Sequence, residues 1–210
     1  IPSGAGIYQA DDLTLDSVVL RDNQALSNGG GLYQNRGVLT IQGSTFIGNR
    51  AEQGGAFYQG RDSADIDDST FARNFTADFT NDGRSGDNGG AIVLAPTNNP
   101  STPTRIDNVT LTGNSAVDQG GGLVATGAAV FGVRNSVIAE NRSLSAASNN
   151  CVIAGAATVA ASTDYNLLGD TSCTAVSSAN SHTGADLGLA PLRAYAGPTP
   201  VRPVLATSAA

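Results

Sequence analysis

One phrase, repeated five times, constrains this chain more than any other feature. A glycine-rich step opens onto an apolar pair: GAGIYQ from Gly4, GGGLYQ from Gly29, GGAFYQ from Gly54, GGAIVL from Gly89 and GGGLVA from Gly120. Each phrase closes on an asparagine, at Asn23, Asn49, Asn74, Asn114 and Asn141. The closing asparagines lie 26, 25, 40 and 27 residues apart. A unit of this length cannot bury its own apolar face and must stack on its neighbours. The repeat therefore predicts a coil of stacked rungs, with function sought on its outside.

Aligned on those asparagines, two columns are apolar in every copy. Three residues before Asn stand Leu20, Phe46, Phe71, Leu111 and Ile138; eight before stand Leu15, Ile41, Ile66, Ile106 and Val133. Between them the pattern alternates with a period of two, as in Leu39-Thr40-Ile41, which is strand patterning. A rung of this size suits three short strands joined by tight bends, pairing in parallel with the next rung at ~4.8 Å. The longest interval carries two polar inserts, Phe75 to Asn88 and Pro96 to Thr104, which are expected to bulge from bends.

Bends need positive φ, which glycine adopts without a Cβ penalty. Asparagine tolerates the same conformation, and its amide can bond the matching asparagine one rung away. Asn23, Asn49, Asn74, Asn114 and Asn141 are accordingly expected to form a buried structural ladder. Cys151 and Cys173 lie in a Ser/Ala/Gly-rich tail with no neighbouring histidine or further cysteine, a poor zinc set. They read as one disulfide, and hence as a sign of an oxidising compartment, with two buried thiols as the other reading.

The net charge is −7, with no lysine, so nucleic acid is not expected as a partner. No apolar run is long enough for a transmembrane segment. With aromatics at 5% of the chain, the core must be built of small aliphatics. The chain enters mid-phrase at Ile1, which reads as a processed piece of a longer protein. A missing N-terminal segment or a partner chain is then expected against the first rung.

The paired GGA and FxxN elements, Gly55-Ala56-Phe57 and Gly90-Ala91-Ile92 with Phe46-Ile47-Gly48-Asn49 and Phe71-Ala72-Arg73-Asn74, resemble the polymorphic outer membrane protein repeats of bacterial surface proteins. Leu20, Leu111 and Ile138 replace the phenylalanine in the other copies. The tail, with Asn150-Cys151, Asp164-Tyr165-Asn166-Leu167 and Gly197-Pro198-Thr199-Pro200, resembles the C-terminal region of secreted β-helix proteins described as choice-of-anchor proteins. The resemblance implies a right-handed parallel β-helix, export, and a location outside the cell or at the bacterial surface. Such families include adhesins and surface-layer components, and similar helices carry polysaccharide lyases and hydrolases.

The candidate sites lie outside the ladder. Asp65, Asp67 and Asp107 fall on outward positions of neighbouring rungs, where three carboxylates could suit a calcium ion or acid–base chemistry on a sugar. A solvated acidic face relieved by Arg105 and Arg134 is the plainer alternative. Tyr8, Tyr33 and Tyr58 follow the inward column at 25-residue steps and would stack into an aromatic strip for sugar rings or a protein partner, or simply support the sheet. His182, the only histidine, lies in the tail without a nucleophile motif. Sequons occur at Asn74, Asn108 and Asn141, two of them within the expected ladder. The outward column Thr14, Thr40, Asp65, Arg105, Gly132 breaks off its threonines too soon for ice binding.

Together these readings predict an all-β protein. Residues 1–145 should form a right-handed parallel β-helix of about five to six rungs, and residues 146–210 an irregular, disulfide-bonded cap. The expected function is an exported, non-catalytic adhesion or assembly module, binding a protein or polysaccharide at the cell surface, with no cofactor beyond the calcium option. The alternative is a polysaccharide lyase or glycoside hydrolase.

Overall fold

The computed structural model describes residues 3–79, 86–98, 100–144, 149–161, 163–184, 186–194 and 199–205. The chain winds as an all-parallel β-solenoid of six turns. Sheet I stacks Ile7–Gln9, Leu32–Gln34, Phe57–Gln59, Ile92–Leu94, Leu123–Ala125 and Cys151–Ile153. Sheet II stacks Leu13–Asp16, Leu39–Gln42, Ala64–Asp67, Thr104–Asp107, Val130–Arg134 and Thr158–Val159. Sheet III runs from Val19–Arg21 through Thr45–Ile47, Thr70–Ala72, Thr110–Thr112, Val137–Ala139 and Leu167–Leu168 to His182–Thr183.

A fourth sheet was not expected. Two-residue strands at Arg50–Ala51, Phe75–Thr76, Ser115–Ala116 and Arg142–Ser143 form sheet IV. Segments this short carry no readable alternation, which is why three strands per turn is the natural expectation from sequence. The register otherwise follows the asparagine alignment: Phe46 pairs with Phe71, Phe71 with Leu111, and Ile66 with Ile106. These side chains are fully buried, and the Phe46 and Phe71 rings stack at 4.6 Å.

The corners between sheets II and III, III and IV, and IV and I turn on a residue in the left-handed region, and they differ in which residue that is. Between sheets II and III it is Ser17, Gly43, Asp68, Asn108, Asn135 and Tyr165. Between III and IV it is Asp22, Gly48, Arg73, Gly113 and Glu140. The ladder asparagines themselves do not have positive φ; the left-handed residue precedes each of them. Their expected conformational role is therefore corrected, and only the side-chain role stands. Between IV and I the first glycine of each pair has positive φ, as at Gly54 (61°). The second is needed for another reason: a Cβ on Gly55 would lie 2.4 Å from Gly90 O and 2.6 Å from Phe75 O.

The coil does not stop near residue 145. Cys151–Ile153, Thr158–Val159 and Leu167–Leu168 extend sheets I, II and III by a sixth turn. The Cys151–Cys173 disulfide forms, tying that turn to a short 3₁₀ helix, Thr171–Val176, whose N-cap is Asp170. Beyond it, residues 187–194 and 199–205 form an antiparallel pair bridged at Leu189–Val204 and Arg193–Val201. This hairpin lies on the outer face of sheet III, where Thr199 Oγ1 donates to Asp68 O and Thr70 Oγ1 donates to Pro200 O. Arg202 fastens it, pairing with Glu140 and donating to Thr112 Oγ1 and Ala190 O. Thr70, Thr110 and Thr112 are buried as a result, whereas Val19, at the uncovered start of the same face, is 61% exposed. Gly197 and Pro198 of the tail motif lie outside the described residues.

Candidate functional site

The tyrosine column is built by register. Tyr8 pairs with Tyr33 and Tyr33 with Tyr58 in sheet I, each flanked by inward neighbours such as Leu32 and Gln34. Alternation along the strand then turns the rings outward. Their centroids are 5.4 and 5.5 Å apart, with interplanar angles of 27° and 22°. Tyr8 is 53% exposed, and Tyr33 and Tyr58 are half-buried. The Tyr33 ring leans towards the next corner, where a Cβ on Gly60 would stand 3.0 Å from its hydroxyl. The column then changes character: Val93 and Val124 occupy the next two outward positions and are buried.

Stacking along the coil axis has a chemical consequence. Faces of adjacent rings cover one another, so the strip presents ring edges and hydroxyls, and only Tyr8 keeps a face open. Sugar stacking needs an open face, so a continuous sugar-stacking strip, as anticipated from the sequence, is not what this geometry offers. Burial raises the Tyr33 and Tyr58 hydroxyls above the usual phenol pKa; the neighbouring Tyr8 adds to the effect on Tyr33, with Arg61 opposing it, and Tyr33 adds to the effect on Tyr58.

Asp65, Asp67 and Asp107 do share the outer face of sheet II, with Asp67 and Asp107 in register. The carboxylates of Asp67 and Asp107 are committed separately, however. Asp67 Oδ1 accepts from Asn108 Nδ2 at 2.9 Å and from the Asp68 N–H, while Asp107 stands 3.8 Å from Arg134 Nη2. Among the described residues no group of three or more histidine, cysteine, aspartate or glutamate side chains could hold a metal ion. The calcium arrangement expected of these three is not assembled. Partial burial pushes the Asp107 carboxyl up; Arg134 and Arg105 pull it down, while Asp67 and Asp65 add to the rise.

The ladder forms as expected and gains a member. Each amide nitrogen donates to the next amide oxygen: Asn23 to Asn49 (2.9 Å), Asn49 to Asn74 (3.0 Å), Asn74 to Asn114 (3.0 Å) and Asn114 to Asn141 (2.8 Å). Asn141 donates to Asn150 (2.9 Å), which supplies the last acceptor from the start of the sixth turn. Because Asn74 and Asn141 are buried here, their sequons are structural residues, whereas Asn108 is exposed. His182 sits in the terminal strand of sheet III, paired in register with Leu167.

Two features escaped the sequence reading. Gln9, Gln34 and Gln59 form a second buried amide column inside sheet I, visible in hindsight as the Q that closes three of the five openings. The hairpin also encloses a cleft of about 1040 Å³ against the corner that carries Glu140 and Arg142. Its carboxylates are already engaged: Glu140 by Arg202, Asp170 by the Ser172 N–H, and Asp186 by the Gly188 N–H. Apolar residues flanking a Gly/Pro-rich stretch near 195–200 were the available hairpin signal. No family model, curated protein or solved structure matches the chain.

Proposed function

We propose that the chain is an exported bacterial surface module that binds a protein or glycan partner along its long face, or joins a larger envelope assembly through it. The observation that carries this reading is the outward tyrosine column of the first three turns. It sets three phenol edges in a row on a rigid parallel sheet, a surface able to donate and accept hydrogen bonds at a fixed spacing. The GGA and FxxN pattern supports export and surface location, because it resembles the polymorphic outer membrane protein repeats. A disulfide is consistent with an oxidising compartment.

The test is direct binding of the purified chain to immobilised bacterial and host glycans and to intact bacterial surfaces. A variant carrying Tyr8→Ala, Tyr33→Ala and Tyr58→Ala should lose most of that binding while keeping its β circular dichroism. Undiminished binding by the triple variant would rule out this face.

A second reading draws on Asp107, whose carboxyl is pushed above the ordinary carboxylate pKa by partial burial, with Asp67 adding to the rise, a property general acids share. It predicts release of sugar products from acidic polysaccharides, abolished by Asp107→Asn. Absence of product across such substrates, with and without calcium, removes it.

A further inference from the structure

We propose that Tyr8 and Tyr33 are a site of oxidative coupling, in which a carbon–carbon bond between their rings staples the first turn to the second. The two residues are register partners in adjacent parallel strands, with ring centroids 5.4 Å apart. A radical formed on either ring therefore stands beside its coupling partner, and the step no longer waits for two molecules to meet.

The chemistry needs an oxidant from outside, a haem peroxidase supplied with hydrogen peroxide. One peroxide takes one electron and one proton from each of two phenols, giving two phenoxyl radicals and two waters. The radicals join through the ring carbons ortho to their oxygens. Each of those carbons then passes its hydrogen to its own oxygen, restoring both phenols. The net change is the loss of two hydrogens, with no group added.

Geometry selects the pair. The new bond lies in the plane of both rings, so stacked rings must turn edge-on before they can join. Tyr8 is 53% exposed, which gives it room to swing. Tyr33 and Tyr58 are more buried, and Tyr33 is held between two rings. Tyr165 is the natural control: at 59% it is more exposed than Tyr8, yet among the described residues it has no ring beside it. Exposure alone would favour Tyr165, whereas proximity favours Tyr8 and Tyr33. The resulting staple would tie Ile7–Gln9 covalently to Leu32–Gln34, its hydrogen-bonded neighbour among the described strands.

The experiment treats the full chain, at several dilutions, with a haem peroxidase and hydrogen peroxide, followed by isolation of the monomer. The expected product is a fluorescent monomer two hydrogens lighter, with the cross-link mapping to Tyr8 and Tyr33 and a yield independent of dilution. Tyr33→Phe keeps a stacked ring and should cut monomer fluorescence by about tenfold or more, since the middle ring serves both pairs. Tyr165→Phe should leave it unchanged. Circular dichroism of each variant checks that the coil persists. The proposal is overturned by a monomer without cross-link, by coupling confined to dimers through Tyr165 or Tyr195, or by a Tyr33–Tyr58 bond with Tyr8 unmodified.

Discussion

Two buried amide columns run along the coil, and they fare differently. At the corner between sheets III and IV, asparagine persists through all five repeats and Asn150 adds a sixth member. In sheet I, glutamine holds the inward position at Gln9, Gln34 and Gln59, then yields to Leu94, Ala125 and Ile153. The difference is one of satisfaction. Asn74 Oδ1 accepts from the Asn49 amide and the Asn49 N–H, while its Nδ2 donates to Phe46 O and Asn114 Oδ1. In the glutamine column the amide nitrogens reach backbone carbonyls, as Gln34 does at Gly37 and Ser63. Among the described residues the buried Oε1 atoms of Gln9 and Gln34 have no partner, whereas that of Gln59 accepts from Thr104 Oγ1. A column that meets all its hydrogen-bonding capacity cannot be exchanged for hydrocarbon, whereas one that leaves acceptors idle can. Unsatisfied buried acceptors cost about 1–3 kcal/mol each, which removes the penalty for such an exchange.

Asn74→Ala is the strongest way to break that contrast. It strands two donors on Asn49, removes the amide donor to Phe46 O and leaves Asn114 Oδ1 with only the backbone N–H of residue 74, so denaturant unfolding should register a loss of about 3 kcal/mol. Asn74→Gln asks whether the shorter side chain matters. The added methylene must displace a packed amide, and a loss of about 2 kcal/mol is expected in the same measurement. An unchanged midpoint would mean that any amide serves. Gln34→Leu, which copies the residue of the fourth turn, should shift stability by less than about 1 kcal/mol in either direction. A loss as large as that of Asn74→Ala would erase the distinction between the columns.

The mildest effect concerns the tyrosines that share strands with the glutamines. The folded chain holds the Tyr33 and Tyr58 protons above the ordinary value of 10.0. Their contribution to stability is therefore intact below the unfolded pKa of about 10 and is lost as pH rises through the folded values. Absorbance titration should show two phenols ionising late, and thermal midpoints should begin to fall above that pH. Tyr58→Phe should reduce the fall.

Much of the coil was legible because its period is written in side chains. Phe46 over Phe71, Ile66 over Ile106 and the amide ladder all follow from aligning asparagines. Sheet IV was not legible, since two residues such as Arg50 and Ala51 hold no alternation. Nor was the commitment of the acids. Asp67 and Asp107 fall in one column by counting, but whether they meet a cation, Asn108 or Arg134 depends on rotamers and corner geometry. The hairpin was hidden for a similar reason: Arg202 is one arginine among 11 until Glu140 and Thr112 are brought beneath it.

The sequence by itself determined the winding: which residues face inward, which stack, and how far one turn lies from the next. These follow from a local repeat, because identical neighbours in consecutive turns must satisfy identical needs. Only the tertiary structure decided what the outer surface offers. It placed Tyr8 in the open and set Tyr33 between rings, dispersed the acids among separate partners, and laid residues 199–202 across sheet III. Contacts between residues about 130 positions apart, such as Thr70 and Pro200, depend on how the whole coil presents its face, and no single repeat encodes that.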